Sequence, residues 1–264
     1  MNGQLFYQTI KLFQKFEEVD AITLGGSRAS ENYDSTSDYD VYVYLNSDLG
    51  TEKRKNALSQ TCNHTDMDKT CWGARWDSCV LNNDIPIEFT YLSLEDTRQS
   101  LQNTLEKHIA WGGYTTCTCY VFFNSIVLYD PKGLYDNLVK QFTIPYPEQL
   151  RRNIISANKE LINGIVPSYL NQIEKAIKRN DVVSINHRLA EFTKSYFDII
   201  FALNRTFHPG EKRLIELSAE LCEWLPVDFE TDLRSLFSSN GNDKTLPIIR
   251  KLISNLDDLI AKEL

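Results

Sequence analysis

The sequence lacks the features that define several classes of protein. Its 264 residues include six cysteines but no Cys-x-x-Cys pair, which argues against a disulfide scaffold and against a compact zinc module. No apolar run reaches the roughly 20 residues that a membrane-spanning helix needs. The N-terminus has no basic segment followed by an apolar one, as a secretory signal would have. We therefore predict a cytoplasmic protein without a membrane partner.

Basic residues are also scarce. The chain has 28 Lys and Arg against 36 Asp and Glu, a formal net charge of −8, and most of the acidic excess lies in residues 1–140. Proteins that bind long nucleic acids usually present a basic surface, so the composition argues against nucleic acid as a partner. Clustered carboxylates can instead hold a divalent metal against a substrate phosphate.

The hydrophobic pattern divides the chain near residues 135–147. The first part mixes two periodicities: strands are predicted at 20–24, 40–45 and 84–92, and helices at 5–16, 53–62 and 94–111, while 63–83 shows no clear pattern and 120–129 fits a helix or a strand. From Pro147 onward, apolar residues recur at helical spacing. We predict an α+β domain over 1–140, with a small mixed sheet and flanking helices, followed by an all-α helical bundle over 141–264.

Two short motifs flank the second predicted strand. Gly25-Gly26-Ser27 follows the first strand, and Ser37-Asp-Tyr-Asp40 begins the second. Asp38 and Asp40, two residues apart on a strand, point to the same side, where their charges repel unless a cation lies between them. The glycine turn offers N–H groups and a hydroxyl to phosphate oxygens, and we expect a helix to begin there and add its partial positive charge.

In this order and spacing, the motifs resemble the signature of the nucleotidyltransferase superfamily related to DNA polymerase β. That signature is a Gly-Ser element, an Asp-x-Asp pair at the head of a strand, and a third carboxylate on a later strand. Gly26-Ser27 and Asp38-x-Asp40 match the first two elements. We favour Glu88 over Asp84 as the third, because Glu88 lies in the middle of its strand. The resemblance covers about residues 20–92 and is closest to small bacterial and antibiotic nucleotidyltransferases with a helical C-terminal domain.

The resemblance implies transfer of a nucleoside monophosphate, with AMP from ATP as the first choice, to a hydroxyl group with release of pyrophosphate. It implies that Asp38, Asp40 and Glu88 are catalytic and hold Mg²⁺, or alternatively Mn²⁺. Glu88 either completes a metal site or accepts the hydroxyl proton. The expected nucleotide-binding residues are Gly25, Gly26, Ser27, Arg28, Ser37, Lys212 and Arg213, of which Arg28 either reaches a phosphate or pairs with an acidic neighbour.

The acceptor is the most open part of this prediction. A small hydroxyl-bearing molecule, such as an aminoglycoside or a lincosamide antibiotic, is the first choice by resemblance, and a cationic acceptor suits the acidic chain. A protein acceptor, as in antitoxin-type enzymes, and a non-catalytic nucleotide-binding module are the alternatives. For Trp72 and Trp76 we expect ordinary packing, with stacking on a base or an acceptor ring as the alternative. The oligomeric state is left open.

Overall fold

The computed structural model describes residues 2–30, 37–71, 73–165, 167–239, 241–242 and 244–264. The chain folds into two compact units: unit 1 is Met1–Gln102 with Val121–Thr143, and unit 2 is Asn103–Tyr120 with Ile144–Leu264. Residues 103–120, which the sequence places in the first domain, are thus grouped with the helical part. An α+β part with a mixed sheet and a separate all-helical part confirm the predicted fold class.

Unit 1 is built on a six-stranded sheet. Its strands are β1 (Val19–Gly25), β2 (Tyr39–Leu45), β3 (Cys62–Lys69), β4 (Arg75–Leu81), β5 (Pro86–Leu92) and β6 (Ile126–Tyr129), arranged in the order β3-β4-β5-β2-β1-β6. β2 and β5 run parallel, and the other neighbouring pairs run antiparallel. The hairpin β3–β4 occupies the stretch 63–83 that the sequence left unassigned.

The helices described in unit 1 pack against the sheet or against one another. They are α1 (Asn2–Phe13), α2 (Thr51–Leu58), α3 (Leu94–Leu101), α4 (Cys117–Asn124) and α5 (Leu134–Phe142), and the chain passes from unit 2 to unit 1 within α4. One face of α1 is buried through Phe6, Ile10 and Phe13, and the ring of Phe13 stacks on that of Phe89 with 4.7 Å between centroids. Every second side chain of β2 and β5 is buried in this core, which leaves the alternate side chains on the opposite face of the sheet.

A buried ion-pair network lies on the core face. Arg54 of α2 is completely buried and forms ion pairs with Asp77 of β4 and with Asp68 of β3. The hydroxyl of Tyr91 donates to Asp77 at 2.7 Å, and the Asp68 N–H donates to the same carboxylate at 2.9 Å. Arg54 Nε donates to the Leu49 carbonyl at 2.9 Å. Because Asp77 points into the core, its neighbours along β4 point to the opposite face.

Unit 2 is helical. Its further helices are α6 (Glu148–Asn163), α7 (Tyr169–Lys178), α8 (Val182–Leu203), α9 (Leu214–Leu221), α10 (Phe229–Ser238) and α11 (Thr245–Glu263). The predicted helix over 94–111 ends instead at Leu101, and a single π-helical turn, Gln102–Glu106, follows it. Within the described part of the chain, no helix combines the length and the apolar character needed to cross a bilayer.

The core of unit 2 contains a buried carboxylate. Asp198 of α8 is 1% exposed and accepts hydrogen bonds from the N–H of Thr115 at 3.1 Å, from its hydroxyl at 2.7 Å, and from Asn158 Nδ2 at 3.0 Å. Burial nevertheless raises the pKa of Asp198 to about 6. These bonds tie the segment before α4 to α6 and α8.

A buried histidine lies in the same unit. His208 is fully buried, and its Nδ1 accepts the Gly210 N–H at 3.1 Å. The ring proton therefore resides on Nε2, which is buried and finds no acceptor among the residues that the structure describes. Burial lowers the pKa of His208 to about 3, so that the imidazole is neutral at physiological pH.

Candidate active site

Three carboxylates converge on the face of the sheet opposite the core. Asp40 on β2 and Glu88 on β5 are direct partners in the parallel register, and Asp38 precedes Asp40 by two residues. One carboxylate oxygen from each of the three lies within 4.8 Å of the others, and all three side chains are half-buried. The parallel pairing of β2 with β5 is what brings Glu88, fifty residues along the chain, beside the Asp-x-Asp pair.

The glycine turn at the end of β1 adjoins this cluster. Gly25 pairs with Asp40 in the antiparallel register, and a Cβ on Gly25 would lie 2.5 Å from the ring of Tyr42. Gly26 has φ +63°, and a Cβ there would overlap the carboxylate of Asp40, lying 2.7 Å from its Cγ. Gly26 therefore meets two requirements that only glycine satisfies easily: a positive φ and close approach to the side chain of Asp40.

The expectation that a helix begins at Ser27 is wrong for the described residues. Ser27–Ala29 form a single 3₁₀ turn, closed by N–H to carbonyl bonds from Ala29 to Gly26 and from Ser30 to Ser27, each 3.2 Å. A turn of three residues has too few aligned peptide groups to act as a helix dipole. Ser27 thus offers a hydroxyl and an N–H group beside Asp40, without the charge of a long helix behind it.

Arg28 connects the turn to the start of β2. Its Nε donates to the carbonyls of Ser37 at 2.9 Å and of Asp38 at 3.0 Å, and its Nη2 donates to Ser37 at 2.5 Å. The guanidinium also lies 4.1 Å from the ring centroid of Tyr39, whose ring stacks on that of Phe6 at the same distance. Two groups at 4.1 Å cannot share one face of a ring, so Tyr39 is held between them. Arg28 thereby fixes the backbone that carries Asp38, a contact that neither sequence alternative foresaw.

The remaining predicted nucleotide-binding residues fall into two places. Ser37 lies beside the carboxylates and contributes its carbonyl to the Arg28 contact. Lys212 and Arg213 belong to unit 2, where both are exposed and Arg213, with φ +54°, immediately precedes α9. Their role in nucleotide binding stays a prediction.

The comparisons with known proteins bear on this site. Residues 7–71 match the family described as Polymerase beta, Nucleotidyltransferase, and this match spans β1, the glycine turn, Asp38 and Asp40. The chain carries a nucleotidyltransferase domain. Residues 111–214 match a second family, a domain of unknown function (DUF4037). No curated protein matches the chain significantly.

Two solved structures show a likeness over nearly the whole chain. A nucleotidyltransferase-like protein from Exiguobacterium sibiricum 255-15 aligns with 99% of this chain and 75% of its own, at 9% identity and a TM-score of 0.45. An aminoglycoside 6-adenyltransferase from Bacillus subtilis aligns with 99% of this chain and 92% of its own, at 11% identity and a TM-score of 0.30. At these values, neither likeness carries an argument about the function of this chain.

The chemistry of the donor set fits a divalent metal. Carboxylate oxygens are the ligands that Mg²⁺ and Mn²⁺ prefer, and three of them within 4.8 Å repel one another unless a cation lies between them. Nucleotidyltransferases generally use a nucleoside triphosphate and a divalent metal, and this cluster supplies the required acidic residues. The glycine turn places its backbone directly against the carboxylate of Asp40.

Proposed function

We propose that this nucleotidyltransferase transfers AMP from ATP to a hydroxyl group of a small-molecule acceptor and releases pyrophosphate. The observation that carries the proposal is the convergence of Asp38, Asp40 and Glu88 within 4.8 Å, beside a glycine turn in which Gly26 lies directly against the Asp40 carboxylate. The proposed cofactor is Mg²⁺, with Mn²⁺ as the alternative, and the proposed setting is the cytoplasm.

The proposal assigns a role to each residue of the carboxylate cluster and of the glycine turn. Asp38 and Asp40 would hold the metal, which supplies positive charge to the phosphates when bound. Gly26 and Ser27 bind the β- and γ-phosphates through N–H groups and the serine hydroxyl, while Arg28 keeps Asp38 in place. The acceptor oxygen forms a bond to the α-phosphorus, the bond from that phosphorus to the β-phosphate oxygen breaks, and Glu88 takes the acceptor proton or completes the metal site.

The proposed acceptor is a small molecule. The acidic net charge of −8 and the three clustered carboxylates attract cationic or neutral acceptors more readily than anionic ones. Aminoglycosides and lincosamides are the first acceptors to screen, with pyrophosphate release as the readout. Incubation with ATP and a cell lysate, followed by mass spectrometry for AMP-modified proteins, tests the alternative of a protein acceptor.

Nucleotide binding is tested by thermal unfolding with each of the four nucleoside triphosphates, with and without Mg²⁺ or Mn²⁺. A ligand at a hundred times its dissociation constant adds about 2.7 kcal/mol to the free energy of unfolding. We expect a metal-dependent rise in melting temperature for the wild type and none for Asp38→Asn/Asp40→Asn. Asp84→Asn is the matched control: Asp84 has φ +63°, a conformation that asparagine tolerates, and lies outside the cluster. An equal shift in the double variant would contradict the proposed site.

A further inference from the structure

The face of the sheet that carries the three carboxylates continues beyond Glu88. On the side of β5 away from β2, Ser78 of β4 is the register partner of Glu88, and Asp66 of β3 is the partner of Ser78. Gly25, Asp40, Glu88, Ser78 and Asp66 therefore form one row across five adjacent strands. The row runs from the glycine turn through the catalytic carboxylates to the hairpin β3–β4.

The side chains of β4 confirm which face this is. Asp77 and Cys79 are buried in the core, where Asp77 contacts Arg54. Trp76 and Ser78 alternate with them and are half-buried on the opposite face. That face is the one to which Glu88 contributes its carboxylate.

Two charged side chains of β3 border Trp76 and Ser78. Lys69 is the register partner of Trp76, its ammonium lies 5.5 Å from the centroid of the indole, and it forms an ion pair with Asp66. The side chain of Asp66 is 53% exposed and that of Lys69 is 32% exposed, so both remain accessible to a ligand.

The geometry of phosphoryl transfer indicates from which side of the carboxylates the acceptor approaches. In an in-line displacement, the attacking hydroxyl and the leaving pyrophosphate lie on opposite sides of the phosphorus. Under the proposed function, the pyrophosphate end of the nucleotide lies at Gly26 and Ser27, on the β1 side of Asp40. The hydroxyl then arrives from the β4 side of Glu88. Adjacent strands are about 4.8 Å apart, so Ser78 lies within the span of one sugar-sized ring from Glu88.

We infer that Trp76, Ser78, Asp66 and Lys69 form the acceptor subsite, and that the acceptor is a ring-shaped polyol of the sugar or cyclitol type, neutral or cationic. The inference rests on the nucleotide placement in the proposed function. A carboxylate accepts hydrogen bonds from ring hydroxyls, and an ammonium group and a serine hydroxyl donate to them. The indole covers the C–H face of a ring, and the Asp66–Lys69 pair adds no net charge beside the three catalytic carboxylates.

The first experiment asks whether bound nucleotide leaves this subsite open. Ser78→Cys and Ser27→Cys, each in a Cys71→Ser background, are treated with a cationic methanethiosulfonate reagent with and without Mg²⁺ and α,β-methylene-ATP, and adducts are located by mass spectrometry. We expect nucleotide to slow modification at position 27 at least tenfold and to change it less than twofold at position 78.

Each other outcome has a defined meaning. Equal protection of both positions, or no modification at position 78 in the free protein, overturns the acceptor subsite while leaving the nucleotide site intact. Absence of protection at position 27, together with calorimetry that detects no nucleotide binding, refutes the proposed function itself.

The second experiment measures kinetics with kanamycin, streptomycin, lincomycin and myo-inositol as acceptors, followed by pyrophosphate release. We expect Lys69→Met and Trp76→Leu to raise the acceptor KM at least tenfold and to leave the KM for ATP within twofold. Val80→Ala, on the same strand and face but on the side of Ser78 away from Trp76 and Lys69, is the matched control and should change neither constant. An unchanged acceptor KM overturns the subsite, and a wild-type protein that binds nucleotide but turns over none of these polyols overturns the substrate class.

Discussion

The two units treat carboxylates in opposite ways. In unit 1, Asp38, Asp40 and Glu88 are held half-buried and within 4.8 Å of one another at the open face of the sheet. In unit 2, Asp198 is 1% exposed and receives three hydrogen bonds from Thr115 and Asn158. The first group is a concentration of like charge, whereas the second is a single charge whose neighbours all donate to it.

We interpret this difference as a difference in role: functional for the three carboxylates of unit 1 and structural for Asp198. Like charges held close together lower the stability of the folded protein, and such clusters are more frequent at functional sites than elsewhere. Neutral donors around Asp198 come from the protein itself, so that carboxylate organises the helices. Removing charge should therefore affect activity in unit 1 and stability in unit 2.

The largest effect is expected for Asp38→Asn. Loss of one of the three carboxylates should lower turnover at least a thousandfold, about 4 kcal/mol in activation free energy. Because the substitution also relieves repulsion, the melting temperature in metal-free buffer should stay the same or rise. Pyrophosphate release measures the loss of turnover, and thermal unfolding measures the change in melting temperature. If Asp38→Asn lost activity only because the folded protein was less stable, carboxylates in the two units would not differ in the way proposed.

Substitutions in the buried ion-pair network of unit 1 should lower the free energy of unfolding, as substitutions around the buried carboxylate of unit 2 should. Arg54→Met leaves Asp77 buried without its cation and should lower the free energy of unfolding by about 3–5 kcal/mol. In Arg54→Met/Asp77→Leu the unpaired charge is gone, so the double variant should be more stable than Arg54→Met alone. Urea titration of the two proteins measures both values. A cost below about 1 kcal/mol for the single variant would contradict burial as the cause.

The pH dependence of stability separates the two titratable groups buried in unit 2. Asp198 has a raised pKa of about 6, so its contribution is fully present below its ordinary pKa of 3.8 and is lost as the pH rises through 6. His208 has a lowered pKa of about 3, so its contribution is present above 6.5 and is lost as the pH falls toward 3. Between pH 4 and pH 6 the two slopes oppose each other.

Single substitutions should reveal each slope in turn. Asp198→Asn leaves the histidine slope, so its free energy of unfolding should fall by up to about 1.4 kcal/mol per pH unit on acidification from 6 to 4.5. His208→Phe leaves the aspartate slope and should become more stable, relative to its value at pH 6, over the same range. Urea titrations at closely spaced pH values compare the variants with the wild type. Parallel curves for all three proteins would show that neither group titrates in this window.

Among the substitutions expected to destabilise the protein, the smallest loss is expected at the glycine turn. Gly26→Ala must adopt φ +63° and displace the carboxylate of Asp40, which should cost about 1–2 kcal/mol of stability and lower kcat more than it raises the KM for ATP. Gly50→Ala is the control, since a Cβ there meets nothing within 4 Å. Circular dichroism melts and steady-state kinetics check both. Wild-type kcat in Gly26→Ala would show that Asp40 tolerates displacement.

The part of the fold that was predictable follows from strong local patterns. β1, β2 and β5 are rich in apolar residues, which made these strands predictable. The spacing of two residues between Asp38 and Asp40 predicted that both side chains point to the same side. The hairpin β3–β4 was missed because one of its faces is open and the other buries Asp77 against Arg54, so that polar residues occupy both faces. When a strand buries a charged residue in an ion pair, its core face is not uniformly apolar, and the alternation that predicts a strand is lost.

Long-range partners account for the rest. Thr115 and Asp198 are 83 residues apart, and nothing local to either residue signals their contact. In place of the helix expected after Ser27 there is a single turn, which ends at Ser30 because the backbone there is extended, with φ −111° and ψ 169°. For the candidate acceptor subsite, the sequence offered only stacking of Trp76 on an acceptor ring as an alternative, because the strand that carries Trp76 and Ser78 was not predicted.

The contact between Arg28 and the carbonyls of Ser37 and Asp38 has a practical consequence for the choice of inactive variants. A substitution at Arg28 disturbs the backbone that carries Asp38 and leaves all three carboxylates of the cluster in the sequence. Arg28→Ala should therefore lower turnover without changing the charge of the cluster, whereas Asp38→Asn changes that charge directly. The two variants together separate the position of a carboxylate from its charge.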